Sequence, residues 1–339
     1  MNNRQRFQQI MSFKPVNRLP MIEWAPWWHL TIARWKEEGL PRELNEDWEI
    51  RNYLGLDMYR QFSIGPRKAI FPENKEYGKG IVSDMDSYVQ ARKYLYPEDV
   101  FEDLYPKDAL GRKAIEKMAV QQKQGDIVVW ITLEGFFWFP RTLFGIEKHL
   151  YAFYDKQEVM HAMNQDLLKY NLRVLDQFCK ICKPDFMTFA EDMSYNNGTM
   201  ISKSLFDEFI KPYYQQIIPR LKEYDIIPFV DSDGNIEGIV SWFTELGVEG
   251  FLPLERQAGV DIVELRKRHP RLKMIGGYDK MIMSKGKPEM KSEFERILSV
   301  MKQGGYIPSV DHQTPPGVSF ENYRVYLQLL REYSVRAAK

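Results

Sequence analysis

A chain of 339 residues with 47 Lys and Arg against 47 Asp and Glu carries no net charge, which argues against a general nucleic-acid binder needing a basic excess for phosphates. At 44% hydrophobic and 28% charged it has the composition of a soluble globular protein, and its apolar runs are too short to cross a bilayer. The polar start, Met1 to Arg6, has no apolar signal core behind it, so a cytoplasmic protein is expected.

In chain order, the first apolar run, 19–23, ends in Glu23 and reads as a strand. A second strand is expected near 56–62. The segment 63–105 is less regular, and Pro66, Pro72, Gly78 and Gly80 predict a hairpin or lid inserted after that second strand. A strand at 126–133 follows, then a helix at 159–183. From there the pattern alternates: strand 185–191, helix 204–224, strand 226–231, helix 236–246 and strand 249–254. A helix at 260–269 stops before Pro270, and a strand at 273–277 follows. A helix at 288–303 stops at Gly304-Gly305, before strand 306–310 and helix 319–337. Such alternation means a parallel sheet with crossover helices, and continuous apolar strands mean that both faces are covered. Eight strands favour a closed (β/α)8 barrel of the TIM type, with residues 1–339 forming one domain.

Most of these strands end in carboxylates, which places a ring of acids on one face, where barrels ordinarily do chemistry. Asp231 and Asp233 are spaced i, i+2, so they project together and call for a cation, a shared proton or a hydrogen-bonding substrate. The plainer alternative is a turn at Asp233-Gly234-Asn235 capping the next helix. Of five histidines, His312 sits on a predicted strand end, beside Asp311, as a proton shuttle, a metal ligand or a loop histidine bonded to backbone. Glu191 and Asp192 are adjacent, so at most one faces the centre of a continuing strand. Glu134 precedes an aromatic cluster containing Trp138, which suits a pocket wall, a plug or a dimer contact. The loop Trp24 to His29 poses the same choice. Cys179 and Cys182 lie late in a helix, where their thiols gain nothing from a helix N-terminus, so packing is expected. Phosphate-binding glycine fingerprints and a nucleophile elbow are missing from the sequence.

Several segments together resemble the uroporphyrinogen decarboxylase superfamily. They are Phe189-Ala190-Glu191-Asp192-Met193, Asp231-Ser232-Asp233-Gly234-Asn235, Pro253-Leu254-Glu255, Gly276-Gly277-Tyr278-Asp279-Lys280, and Gly304-Gly305-Tyr306 leading to Asp311-His312. The resemblance implies a barrel enzyme that forms a homodimer. The decarboxylases of the superfamily grip substrate carboxylates with an Arg-x-Ala-Gly-Arg loop after the first strand. Here that stretch is His29 to Trp35, and Arg34 alone corresponds. Their catalytic Phe-Ser-Asp stretch has no clear counterpart in Asp57 to Ser63. The corrinoid-dependent methyltransferases hold zinc with His-x-Cys and a late Cys, where this chain has Asp231-Ser232-Asp233 and Asp311-His312.

The leading expectation from this resemblance is a small-molecule methyltransferase, acting as a demethylase with a corrinoid protein as partner. Asp231, Asp233 and His312 would hold one divalent metal, zinc or similar, or the substrate. Glu134 and Glu191 would serve as acid, base or ligands, and Tyr195 and Tyr278 would orient the substrate against Glu255 and Trp138. The alternative is a cofactor-independent decarboxylase of a tetrapyrrole-like substrate, with Arg34, Arg60 or Arg256 binding carboxylates. A third is a tetrapyrrole- or corrinoid-binding module without catalysis. Glu134, Asp231, Glu255 and His312 are expected to converge on one cavity.

Overall fold

The apolar runs of the sequence become strands wherever β-branched and aromatic residues can be covered on both faces. The structure is a computed structural model that describes residues 1–72, 74, 76–101 and 112–338. Its strands are β1 (Tyr59–Ile64), β2 (Val128–Glu134), β3 (Phe186–Ala190), β4 (Ser194–Tyr195), β5 (Gly198–Thr199), β6 (Ile227–Asp231), β7 (Gly250–Leu252), β8 (Lys273–Tyr278) and β9 (Tyr306–Val310). Seven pair in parallel in the order β1-β2-β3-β6-β7-β8-β9, and β4-β5 is a small antiparallel ribbon. The result is an α/β fold with a curled seven-stranded parallel sheet of TIM-barrel kind. Among the described residues no helix is long and apolar enough to cross a membrane.

The predicted first strand does not form a ladder, which corrects the count of eight. Residues 19–24 run beside β1 and β9, but their polar groups are met largely by side chains. Asp57 accepts from the Met21 amide at 3.0 Å, while its own amide donates to the Met21 carbonyl at 2.9 Å. The Trp24 amide donates to Ser309 Oγ at 3.3 Å, and its indole donates to the Val310 carbonyl at 2.7 Å. Pro20 lacks the N–H that a central strand would need, so the segment is extended without being paired.

The expected helix 204–224 is two helices, Lys203–Phe209 and Lys211–Glu223, broken at Ile210, with Pro212 in the first turn of the second. In the expected insertion, 65–101 carry a helix at Met85–Ala91 and a bridge between Arg67 and Leu95, with no strand hairpin among the described residues. Its end, 102–105, lies outside them. Helices at Asn3–Met11, His29–Glu37, Asp47–Tyr53, Arg112–Gln124, Trp138–Phe144 and Ile146–Asp155 lie outside the elements the sequence predicts.

Strand periodicity stacks the sheet's inner face in layers. At the amino-terminal end Tyr59, Trp130, Phe186 and Phe229 form a chain of ring contacts 5.1–5.9 Å apart, met by Phe7 of the first helix at 5.2 Å. Gly250 makes room for this layer, since a Cβ there would lie 2.3 Å from the Phe229 ring. Above it, Gln61 Nε2 donates to Thr132 Oγ1, which is 2.8 Å from Thr188 Oγ1. Above the hydroxyls come the carboxylates. In register, Glu134 pairs with Ala190, and Ala190 with Asp231.

Glu23 lies outside this stack, fully buried against the last helix. It accepts from Ser309 Oγ, from the Val310 amide at 3.3 Å and from the Tyr326 hydroxyl at 3.3 Å. Burial nevertheless pushes its pKa from 4.5 to about 7. The native state therefore binds this proton more tightly than the unfolded chain, so stability is lost as pH rises from about 4.5 through about 7. The loss is roughly 3 kcal/mol once the group is ionised in both states. Urea melts should show Glu23→Gln within about 1 kcal/mol of the wild type at low pH and clearly more stable at high pH. An identical difference at both extremes would remove the argument.

Candidate functional site at the carboxyl ends of the strands

Each inner strand end delivers a polar group to the same face. β6 ends at Asp231, and the turn beyond it presents Asp233. The chain after β7 turns through Leu254, at φ +67°, to Glu255, and the chain after β9 reaches Asp311 and His312. His312 Nε2 stands 3.6 Å from Asp233 Oδ2. Asp233, Glu255 and His312 each offer a ligand atom within 4.8 Å of the others. Glu255 is anchored by the Gly234 amide at 2.9 Å, with Lys280 Nζ 3.8 Å from its other oxygen. A Cβ at Gly234, φ +79°, would press to 2.8 Å on the backbone of the β4-β5 ribbon, so glycine lets the ribbon close against this turn.

Asp192 joins the acids. Its φ of +38° departs from the strand, and its Oδ1 accepts from the Asp233 amide at 3.1 Å. Desolvation, and then the Asp233 charge, raise it to about 6. Desolvation together with the Asp192 and Asp233 charges holds Asp231 well above the usual carboxylate range. Burial raises Glu134 too, against the pull of Arg67, whose Nη1 is 3.6 Å from Glu134 Oε1; Oε2 is buried without a partner among the described residues. The His312 imidazole is raised by its contact with Asp233. Edge-on to His312, with ring centroids 6.2 Å apart, lies Trp24.

Asp311 is a brace behind this face. Fully buried, it accepts from the Arg256 amide at 2.8 Å and the Lys280 amide at 3.1 Å, tying the loops after β7 and β8 to β9. Burial raises its pKa to about 6 even with Lys280 Nζ at 3.5 Å.

Several expected site residues are placed elsewhere. Glu191 is fully buried and accepts from the amides of Phe136, Phe137 and Trp138, at 2.9, 2.7 and 3.3 Å, and from the Tyr214 hydroxyl at 2.6 Å. Its lone pairs are taken by the start of the helix Trp138–Phe144, so it braces that helix, and Asp192 is the acid at the cluster. Tyr278 is wholly buried in the helix layer, against Phe294 and Tyr326, where it cannot orient a substrate at the cluster. Arg34 is held by Glu38 at 2.6 Å and the Pro316 carbonyl at 2.8 Å. The Arg256 guanidinium turns to Asp261 at 3.2 Å. Arg60 stacks on Trp48 beside β1. Tyr195 is exposed on the ribbon beside Asn235, and Trp138 carries the Arg141 guanidinium 5.1 Å over its ring. Arg141 donates in turn to the Asp192 carbonyl at 3.1 Å. Asp231 stands outside the ligand group, where Glu255 takes the expected third place.

Sequence reasoning left open which of Glu191 and Asp192 faces the centre and assigned the site to Glu191, and it missed Arg67 and Lys280 as members of this face. The thiols of Cys179 and Cys182 are raised by burial to about 12 and about 11, as packed cysteines should be.

Two carboxylates and an imidazole, with ligand atoms within 4.8 Å of one another, form a donor set that could hold one divalent ion, harder than thiolates provide.

The family model described as uroporphyrinogen decarboxylase matches residues 117–333. Among solved structures, a methyltransferase from Methanosarcina mazei superposes at a TM-score of 0.67 and 14% identity, over 98% of this chain and 99% of that one. A structure of the pneumococcal virulence factor StrH covers 97% of this chain and 84% of its own at 12% identity. Its TM-score of 0.41 is too low to carry an argument. No curated protein sequence matches the chain.

Proposed function

The chain belongs to the uroporphyrinogen decarboxylase family, and from that premise we propose an enzyme that removes a methyl group from a small molecule and passes it to a corrinoid carried by a partner protein. The observation that carries this reading is the Asp233–Glu255–His312 group, in which Asp233 and His312 fall in the two segments that resemble the methyltransferases' His-x-Cys and late Cys and Glu255 joins them from a third strand end. The fold-level likeness to the Methanosarcina methyltransferase supports it.

The register sets two of the acids apart across the sheet. Glu134 and Asp231 face the same layer from β2 and β6, with only the Ala190 methyl on the strand between them. Two strand spacings separate them by about 9.6 Å. Held by Asp233, Glu255 and His312, a divalent ion would supply Lewis acidity toward the heteroatom that bears the methyl group. Glu134, raised by burial and with no partner for Oε2 among the described residues, is placed to deliver the proton that this heteroatom takes up as the methyl departs. Asp192 and Asp231, both raised by desolvation, stand near the same place. Trp24 walls the site beside His312.

Elemental analysis of purified protein should find about one divalent ion per chain, lost in Asp233→Asn combined with His312→Ala. Metal-free protein with full activity would rule the ion out, and the same acids would then be hydrogen-bonding groups for substrate. For the reaction, methylated alcohols, amines and thiols are offered with cob(I)alamin as acceptor. Asp231→Asn should lose turnover while keeping the wild-type melting temperature, and full activity would remove Asp231 from the site.

The second reading is decarboxylation without a cofactor. It is favoured by the cations Arg67, Arg141 and Lys280 standing around raised carboxyl groups. A homodimer and a corrinoid-protein partner remain part of the proposal, tested by sedimentation of the chain alone and with a corrinoid protein.

A further inference from the structure

At the unpaired edge of β1 lies a cleft of about 430 Å³, bounded by Pro26, the helix Asp47–Tyr53 and residues 59–61. Because β1 ends the sheet, side chains from both its faces reach this space. The cleft holds two guanidiniums. Arg51 is only 7% exposed and stacks on Tyr59 at 4.5 Å and on Trp27 at 5.7 Å. Arg51 pairs with Asp47 at 4.0 Å and its charge also faces the buried Glu23, but its buried Nε has no acceptor among the described residues. Arg60 stacks on Trp48 at 5.1 Å and has no ion-pair partner among the described residues.

Guanidiniums do not discharge in proteins, so two of them in a partly desolvated cleft repel each other. Desolvation and the Arg51 charge both lower the Arg60 pKa, in keeping with this closeness. Glu46 and Asp47 also line the cleft, but they stand at the start of a helix, where carboxylates offset the free amides. They leave the buried Arg51 Nε and the Arg60 fork unmatched. A planar fork over an aromatic ring is the usual receptor for a carboxylate or a phosphoryl group.

We propose that this cleft is an oxyanion-binding subsite, in which Arg60 and Arg51 grip a carboxylate or phosphoryl group of a small molecule. Arg60 lies on one face of β1, and its two neighbours in the chain lie on the other, inner face. Tyr59 and Gln61 share that face, and Gln61 donates at 3.0 Å to Thr132, two residues before Glu134 on the same strand face. The inference concerns binding and holds whichever reaction the cluster performs.

Trp48, half-exposed beneath Arg60, is a built-in reporter. The full-length protein is titrated with inorganic phosphate and, separately, with acetate, at ionic strength held constant with sodium chloride. Tryptophan fluorescence should change saturably, and Trp48→Phe should remove that change. Arg60→Met should weaken binding at least tenfold with the fold intact by circular dichroism. Arg60→Lys keeps the charge without the fork, and should weaken it at least threefold; it decides the matter if Arg60→Met does not fold. Tighter phosphate assigns a phosphoryl ligand, and tighter acetate a carboxylate. A signal that does not saturate with either anion, or one that survives unchanged in the Arg60 variants, overturns the subsite.

Discussion

Uroporphyrinogen offered to the purified protein is expected to be turned over at least two orders of magnitude more slowly than by a dedicated decarboxylase of the family. A polycarboxylate substrate needs free cations where it binds. Arg34, the one residue matching the decarboxylases' arginine loop, is spent on Glu38 and the Pro316 carbonyl. Arg256 is spent on Asp261, and Arg60 and Arg51 offer a place for one oxyanion, not for many. The face that remains carries Glu134, Asp192, Asp231, Asp233 and Glu255 against Arg67, Arg141 and Lys280. Of these cations, Arg67 and Lys280 already stand within 4 Å of an acid and Arg141 is bonded to the Asp192 carbonyl. Losing charge-assisted contacts to buried carboxylates typically costs about 2–5 kcal/mol each, enough for the loss expected here. Product analysis by chromatography after anaerobic incubation measures it. Efficient conversion to a less carboxylated porphyrinogen would put decarboxylation first and demote methyl transfer.

The C-terminal half was legible because its strands are uninterrupted apolar runs between turn residues; β9 (Tyr306–Val310) falls where the sequence places it. Residues 19–24 misled because apolar character alone cannot show that an Asp and a Ser side chain will replace the ladder around Pro20. At the site, parity was the difficulty. Glu191 and Asp192 are adjacent, and only the φ of +38° at Asp192 decides which carboxylate reaches the cluster. A signal was nonetheless present. The helix Trp138–Phe144 starts after Gly135-Phe136-Phe137, with no Ser, Thr, Asp or Asn to cap it, so its first amides need an acceptor from another strand. Glu191, one residue beyond the neighbouring strand, was that acceptor. Tyr278 illustrates the same limit, since a residue at a strand end can face the helices as easily as the centre.

Glu191→Ala should therefore damage the fold rather than a chemical step. The substitution strands three amides and the Tyr214 hydroxyl in a fully buried place. Each unsatisfied donor costs about 1–3 kcal/mol, with imperfect additivity. A total near 4–5 kcal/mol is expected, a large share of the stability of an ordinary domain. Glu191→Gln keeps one acceptor oxygen but points an NH2 at amide donors, so it should fall between the wild type and Ala. Urea unfolding followed by tryptophan fluorescence reads both. Wild-type stability in Glu191→Ala would show that the amides find other partners and would reopen a chemical role for the carboxylate. The expected loss would also reach the site without touching it. The helix that Glu191 holds carries Trp138 and Arg141, and Arg141 in turn holds the Asp192 carbonyl. Partial destabilisation at Glu191 should therefore loosen Asp192, the acid that joins Glu134 to the cluster at Asp233, before the sheet itself gives way.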